Sequence, residues 1–516
     1  MQENDVKIEA LDPSLFEFVQ YDSRITDTKM ATKRIGYFKD AMIRFCRNKA
    51  SIVAACIILF MVLFAIIAPE AAGTTYTRSR GDNDCQKYQL LLPKNNLFKG
   101  SGFWDGTKNE SVNSGRYNQY VALGIETGLD PIAKLNKKYK FNGLDYYNVR
   151  VDTYNSLGLF YMTFTLDQYQ AIQKYQDENN LQIIFPAVTS LNHFATLNDN
   201  SAGANIWYEH KENGTPDLKN GKYVDIYRKA SNGYTYDDDY TSKMRISSDD
   251  GTYKYAVLSG TAEAPSFYCR VLLYNYFIYK YGYEPCFAFG TDGHGYDIFT
   301  RLGSGARLSF LLAIFVASIN LVIGAIWGSI SGYFGGAADL IMERITDVLG
   351  NIPFMIVTTL FQLHLASKVG VIPSLLLAFV VTGWIGTAST VRMQFYRYKN
   401  QEYVLAARTL GAKNKRLMFK HIFPNALGTI ITSSVLVIPS VIFSESSLTY
   451  LGIVNLDGDS QTSIGTMLAN SRTYLTTFPH VILFPAIFIS LLMITFNLFG
   501  NGLRDAFNPS LRGTED

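Results

Sequence analysis

Hydrophobic and polar positions divide this chain into six apolar stretches, with one long polar block between the first and the second. Residues 51–68 carry no charge and are rich in Ile, Leu, Val and Phe. About 20 such residues cross a bilayer core. Further apolar stretches follow at about 308–330, up to about 366, 371–391, 426–445 and 480–500. The third is led in by residues 339–349, where Glu343, Arg344 and Asp347 make an amphipathic approach. Gly332, Gly335 and Gly336 predict a tight turn before it. The pattern predicts an α-helical integral membrane protein with six transmembrane helices.

Charge orients these spans. Residues 29–49 hold seven Lys/Arg against one acid, Asp40, and Tyr37, Phe38, Ala41, Met42 and Phe45 recur at helical spacing. That reads as an interfacial amphipathic helix on the inner leaflet. Residues 392–420 hold eight Lys/Arg against Glu402 alone. The short loops on the opposite side hold one basic residue each, Lys368 and Arg472. Basic loops stay in the cytoplasm. Both termini are therefore expected inside the cell membrane, with residues 70–289 outside.

The polar block is a different material. It holds 25 of the 34 tyrosines, and nothing in it is long and apolar enough to cross a membrane. Residues 145–152, 158–165, 181–188, 253–258 and 266–281 read as strands, and 166–180 as a helix. About 220 residues can bury their own core, so an extracellular α+β domain is expected. Cys85, Cys269 and Cys286 lie in it, and a disulfide joining Cys85 to Cys269 or Cys286 is a candidate staple for its two ends. Asp237, Asp238, Asp239, Asp249 and Asp250 lack the spacing of a calcium loop and read as a solvated acidic segment. The tyrosines have two readings, a contact surface or packing within the domain's own core. As a contact surface, the domain is a docking scaffold for protein partners or a peptide site.

Between the fourth and fifth spans lies a basic elbow, residues 402–425. Glu402 to Leu410 holds good helix formers, Gly411 suits a helix C-terminus, and a second helix over about 413–422 is expected to end before Pro424. Ala406, Ala407, Gly411 and Pro424 follow the spacing of the coupling loop of ABC-importer permeases, which the stretch resembles. Leu405, His421 and Phe423 replace the Glu, Ile and Leu of that pattern. Gly290-Thr-Asp292-Gly-His-Gly295-Tyr-Asp297, Gly332-Tyr-Phe-Gly-Gly336 and Phe496-Asn-Leu-Phe-Gly-Asn-Gly502-Leu-Arg-Asp505 resemble the C-type subunit of oligopeptide/dipeptide importers. The resemblance covers about residues 10–70 and 287–510.

It implies a type I importer permease that forms half of a translocation path and receives ATPase motion through residues 402–424. Its ATPase-coupling residues would be Glu402, Ala406, Ala407, Gly411 and Pro424. It also implies partners: a homologous second permease, two ATP-binding subunits and an extracellular substrate-binding lipoprotein, with peptides as cargo. ATP and Mg would bind those subunits and no cofactor this chain, which has no Gly-x-x-x-x-Gly-Lys-Ser/Thr. The expected organisation is a cytoplasmic tail with the interfacial helix at 1–50, a first span at 51–69, the outer domain at 70–289, and a permease core at 290–510 with its coupling loop at 392–425.

Polar groups within spans are functional candidates. Asn320, Gln362, His364 and Glu445 are the candidates for lining the path, although each also suits a helix–helix hydrogen bond. A net charge of +3 excludes a nucleic-acid footprint, and six scattered His suggest no metal site. A membrane-anchored receptor, or an importer of nickel or another small solute, remains as an alternative.

Overall fold

The computed structural model describes residues 37–71, 85–185, 218–219, 222–223, 256–261, 264–457 and 462–507. The acidic segment at 237–250 and the tail before residue 37 lie outside them. Among the described residues, five helices are long and apolar enough to cross a membrane: Lys49–Ala71, Ile298–Phe334, Val371–Tyr398, Asn414–Tyr450 and His480–Phe507. Ile298–Phe334 is 37 residues long. At 1.5 Å per residue that is about 55 Å, so it overshoots a bilayer core of about 30 Å. Its inward face (Leu302, Ala306, Phe310, Ala313, Val316) packs with Leu375, Phe379, Val441, Leu448, Leu492 and Phe496 in one core. Leu311, Ile314, Phe315 and Val322 point away from it and are exposed.

The third expected span is broken. Gly336–Gly350 and Phe354–His364 occupy its place, and the apolar part is only 11 residues long. Pro353 is the reason: it stands at the N-cap of the second piece with extended ψ, so the first helix cannot run through it. The turn before this pair is made by Gly335 and Gly336, at φ of 67° and 56°, whereas Gly332, also expected in it, lies within the long helix.

A three-glycine seam brings two helices of the bundle into close contact. Gly324, Gly328 and Gly332 recur every fourth residue on Ile298–Phe334 and face Ile385–Tyr398. A Cβ at Gly328 would lie 2.2 Å from the Ala388 carbonyl oxygen, and one at Gly332 2.7 Å from the Phe395 Cβ. Only glycine lets the two backbones touch there.

The basic amphipathic helix is present as Tyr37–Arg47, with Asp40 and Arg44 paired at 3.1 Å. It packs on the last span: Ala41 and Phe45 are buried, and the Phe45 and Phe499 rings stand 5.4 Å apart.

The insertion is α+β. Strands β1 (Thr107–Asn113), β2 (Ile132–Phe141) and β3 (Leu144–Asp152) form an antiparallel sheet in the order β1-β3-β2. In a second sheet β4 (Leu159–Thr165) pairs with the central strand of the four, while β5 (Ile184–Phe185) pairs on that strand's other side. A separate two-residue pair, β6 (Leu218–Lys219) with β7 (Lys222–Tyr223), stands apart. The second sheet is completed by β8 (Ala256–Thr261) and its centre, β9 (Ala264–Leu272). Helix Leu166–Asn179 starts on a capping box between Thr165 and Gln168 and ends at Asn180 in the left-handed region. Two expectations need correction. The strand run expected over 266–281 stops at Leu272 and becomes helix Leu273–Tyr281, whose Leu273, Tyr274, Tyr276 and Phe277 are buried. Of the strand expected at 181–188, only Ile184 and Phe185 pair within the described residues. Among the described tyrosines, Tyr88, Tyr154, Tyr169, Tyr274 and Tyr276 serve packing, in one buried core with Phe164, Phe267 and Phe287, whereas Tyr139, Tyr268 and Tyr283 are exposed.

The disulfide among Cys85, Cys269 and Cys286 is not formed. Cys269 is buried in β9, and burial pushes its thiol up to about 12. The Cys286 thiol donates to the Lys94 carbonyl. Backbone hydrogen bonds do the stapling instead. Lys94 N–H donates to Phe287 O at 2.9 Å, Thr291 N–H to Leu91 O at 2.9 Å and Leu90 N–H to Asp292 O at 3.1 Å. The Thr291 hydroxyl accepts from Leu91 N–H and donates to Tyr88 O at 2.6 Å. Both ends of the insertion thus lie side by side at the start of Ile298–Phe334.

Asp297 caps that long helix, accepting from the N–H groups of Phe299 and Thr300. Burial raises its carboxyl to about 6, more than the capping bonds lower it. A carboxyl raised on folding favours the fold most at low pH, and that contribution is lost as pH rises through about 6. Asp297→Asn keeps one of the two capping oxygens and removes the charge. It is expected to raise the thermal midpoint at pH 8 and to flatten the midpoint's pH dependence between pH 5 and 8. A lower midpoint at pH 8 would show that the ionised carboxylate is needed.

Candidate functional site: the elbow and the cleft beside it

The elbow is built from two arms. Glu402–Thr409 is an eight-residue helix, and Gly411, at φ 82°, reverses the chain after it. The second arm departs from the expected simple helix. Asn414–Arg416 is one turn, and Leu417–Ile422 is a wide π turn closed by Phe423 N–H to Met418 O. Pro424 does not end the second arm. It sits in the first turn of Phe423–Val435, where a missing N–H is tolerated. The π turn widens the helix where the proline ring would meet the carbonyl four residues back.

What fixes the corner is apolar. Val404, Leu417, Met418, Ile422 and Ala426 are buried against Val391 and Phe395 of the preceding span. Asn425 donates to the Tyr403 hydroxyl at 3.2 Å, joining the arms, and the Tyr333 hydroxyl bonds Asn414 Oδ1 at 2.8 Å. Ala407 is half-buried against this cluster, and Glu402 and Ala406 are exposed. Leu405 and Phe419 are about half exposed, and Leu410 is 88% exposed. The elbow is therefore a rigid corner with apolar side chains facing away from the bundle, ringed by exposed Arg408, Lys413, Lys415, Arg416 and Lys420.

A charge knot behind the elbow escaped the sequence reading. Arg392 donates Nε–H to Asp339 Oδ1 and an Nη2–H to Asp339 Oδ2, both at 2.7 Å. The Ser331 and Tyr396 hydroxyls also bond Asp339. Lys399 Nζ donates to Gly332 O at 3.0 Å. The Asp339 and Arg392 positions are 53 residues apart, so no local spacing announces the pair. At the other end of the bundle Arg301 stands between Asp457, at 3.1 Å, and Asp292, at 3.6 Å.

Of the four path candidates, Asn320 lines a cleft. This cleft, about 480 Å³, is walled by Phe354, Phe379, Leu436 and Val441, with hydroxyls from Thr382, Ser440 and Ser444. Both atoms of the Asn320 amide are buried and lack a hydrogen-bond partner. Gln362 instead donates to Val371 O at 3.2 Å, tying the turn between two helices. His364 is exposed at the end of its helix. Glu445 is 1% exposed and accepts from the Ser309 hydroxyl at 3.0 Å, a helix–helix bond away from the cleft.

Comparison with known proteins decides the family. Residues 320–513 match the family described as binding-protein-dependent transport system inner membrane component. Residues 36–93 match the N-terminal TM domain of oligopeptide transport permease C. The oligopeptide transport system permease protein OppC of Bacillus subtilis (strain 168) is 46% identical over 224 residues, which is 43% of this chain and 72% of that protein. The chain belongs to the oligopeptide/dipeptide ABC permease family. The dipeptide permease DppC of the same organism is 42% identical over 43% of this chain and 69% of that protein. OppC of Escherichia coli (strain K12) is 34% identical over 43% and 72%. This permease is thus a multi-pass membrane protein, and neither family match reaches residues 94–319, which hold most of the insertion.

Proposed function

We propose that this chain is one membrane subunit of an ATP-driven importer of oligopeptides. It forms half of the translocation path together with a homologous permease. Of two ATP-binding subunits, one seats against the elbow, and a substrate-binding lipoprotein delivers peptide from outside. Family membership supports the permease role. The observation that carries the coupling role is the elbow itself, a corner locked by buried Val404, Leu417 and Ile422 that presents Leu405, Leu410 and Phe419 outward. A rigid corner with exposed apolar groups transmits the closing of an ATPase to the spans, because the cluster behind it moves as one body. The elbow end then faces the cytoplasm, in line with its basic residues. The insertion stands outside, stapled to the start of a span, and serves as a scaffold for the binding lipoprotein.

Leu410→Asp tests the coupling role without touching the core, since Leu410 makes almost no contact within the chain. Peptide uptake and peptide-stimulated ATP hydrolysis by the reconstituted complex are expected to fall more than tenfold, with the thermal midpoint of the isolated chain unchanged. Uptake at the wild-type rate would remove the elbow from the mechanism.

A further inference from the structure

Two clefts meet on one face of the long helix that follows the elbow. The first is the Asn320 cleft. The second, about 360 Å³, opens at the elbow end between Ile385–Tyr398, Phe423–Val435 and His480–Phe507. Ser433 and Leu436 line both, so the clefts are contiguous. Thr429, Ser433, Leu436, Ser440 and Ser444 follow at three- and four-residue steps, which places them on one side of the helix.

Electrostatics separates the two clefts. Arg397 and Arg504 both line the second, and no Asp or Glu does. The two arginines come from helices more than a hundred positions apart, so the fold brings them together. Arg392, one turn back, has carboxylates to hold, whereas among the described residues no ion pair engages either arginine of the cleft. Two guanidinium groups lining one cleft suit an oxyanion between them, and the planar fork of arginine fits a carboxylate. Gln394 lines the same cleft, and its Oε1 is buried without a hydrogen-bond partner. A vacant acceptor beside two cations fits an anion that carries a donor next to it. The C-terminal residue of a peptide has this form: a carboxylate and, on the same residue, the last backbone N–H. The phosphodiester of a lipid offers the charge without the amide donor.

Building on the importer reading above, we propose that Arg397, Arg504 and Gln394 receive the C-terminal end of the peptide as it leaves the path. The arginines take the carboxylate, and Gln394 accepts the last backbone N–H. Every free-acid peptide presents these groups whatever its side chains, so the site tolerates sequence.

The test uses the assembled transporter in proteoliposomes. Uptake of one peptide as its free acid is compared with uptake of the same peptide C-terminally amidated, for wild type, R397Q/R504Q and R397K/R504K. Co-purification with the partner subunits confirms assembly of each variant. The double Gln variant is expected to lose about tenfold of free-acid uptake, the scale of one charge-assisted contact. Uptake of the amide is expected to change less than twofold, and the Lys variant to recover part of the loss. Equal loss for both peptides overturns the proposal in favour of a structural role. A loss seen in vesicles containing phosphatidylglycerol but absent in phosphatidylcholine alone also overturns it, because the anion is then a lipid phosphate. Wild type that takes up neither peptide brings down the importer reading itself, a result distinct from either of these.

Discussion

Gly328→Val is expected to prevent stable folding of the helical core, at a cost of about 3 kcal/mol or more. A Cβ at Gly328 would stand 2.2 Å from the Ala388 carbonyl oxygen and 2.8 Å from the Val391 Cβ. The first neighbour is backbone and cannot swing aside, so the whole of Ile385–Tyr398 has to move. That helix leads into the elbow and supplies Val391 and Phe395 to the cluster behind it. Thermal unfolding of the detergent-solubilised chain checks the effect, with Gly386→Ala as the contrast. Gly386 lies on the opposing helix and would meet nothing within 4 Å. It should hold or raise the midpoint, because alanine is the better helix former. Equal loss in both variants would mean that the seam is not what holds the two helices together.

Asp339→Ala is also expected to be damaging, by about 2 kcal/mol, because it removes both prongs of the Arg392 fork and leaves Glu343, at 3.4 Å, as the nearest carboxylate. Asp339 is 7% exposed and takes both prongs of the Arg392 fork. The doubly apolar Asp339→Leu with Arg392→Met should recover much of the loss, since the cost lies in the donors left unmet more than in the missing pair. The same knot sets an acid limit. Hydrogen bonds from Arg392 hold the Asp339 carboxyl well below the usual carboxylate range. Its contribution is then complete above about pH 4, where an unfolded carboxyl is ionised, and disappears as pH falls further. Wild type should lose stability below pH 4 more steeply than the double variant. Parallel acid profiles would show that Asp339 does not set this limit.

What the sequence made legible was periodic or local. Five spans, the helix over 166–179 and strands β3 and β4 were readable because apolar runs, a capping box and alternation are written in neighbouring residues. The elbow was readable from Ala406, Ala407, Gly411 and Pro424, although the π turn was not, because it answers a clash that only the folded backbone reveals. The Gly324, Gly328 and Gly332 seam is a plain four-residue repeat and was open to discovery from spacing alone. Distant pairings were not legible. Asp339 with Arg392, and Arg397 with Arg504, meet only once helices far apart in sequence pack. Polarity within a span does not by itself say what a residue meets. Glu445, Gln362 and Asn320 look alike in sequence, yet two of them bond to neighbouring elements and one lines a cleft.

The staple at Leu91 and Thr291 explains how a transporter core carries so large a passenger. Where the chain leaves the bundle and where it returns are tied by a short set of hydrogen bonds, so the insertion resembles a branch grafted onto a stem. The graft holds the outgoing and returning segments together just where the long helix begins. Such a junction lets natural variation rebuild everything beyond it while the machinery below stays the same.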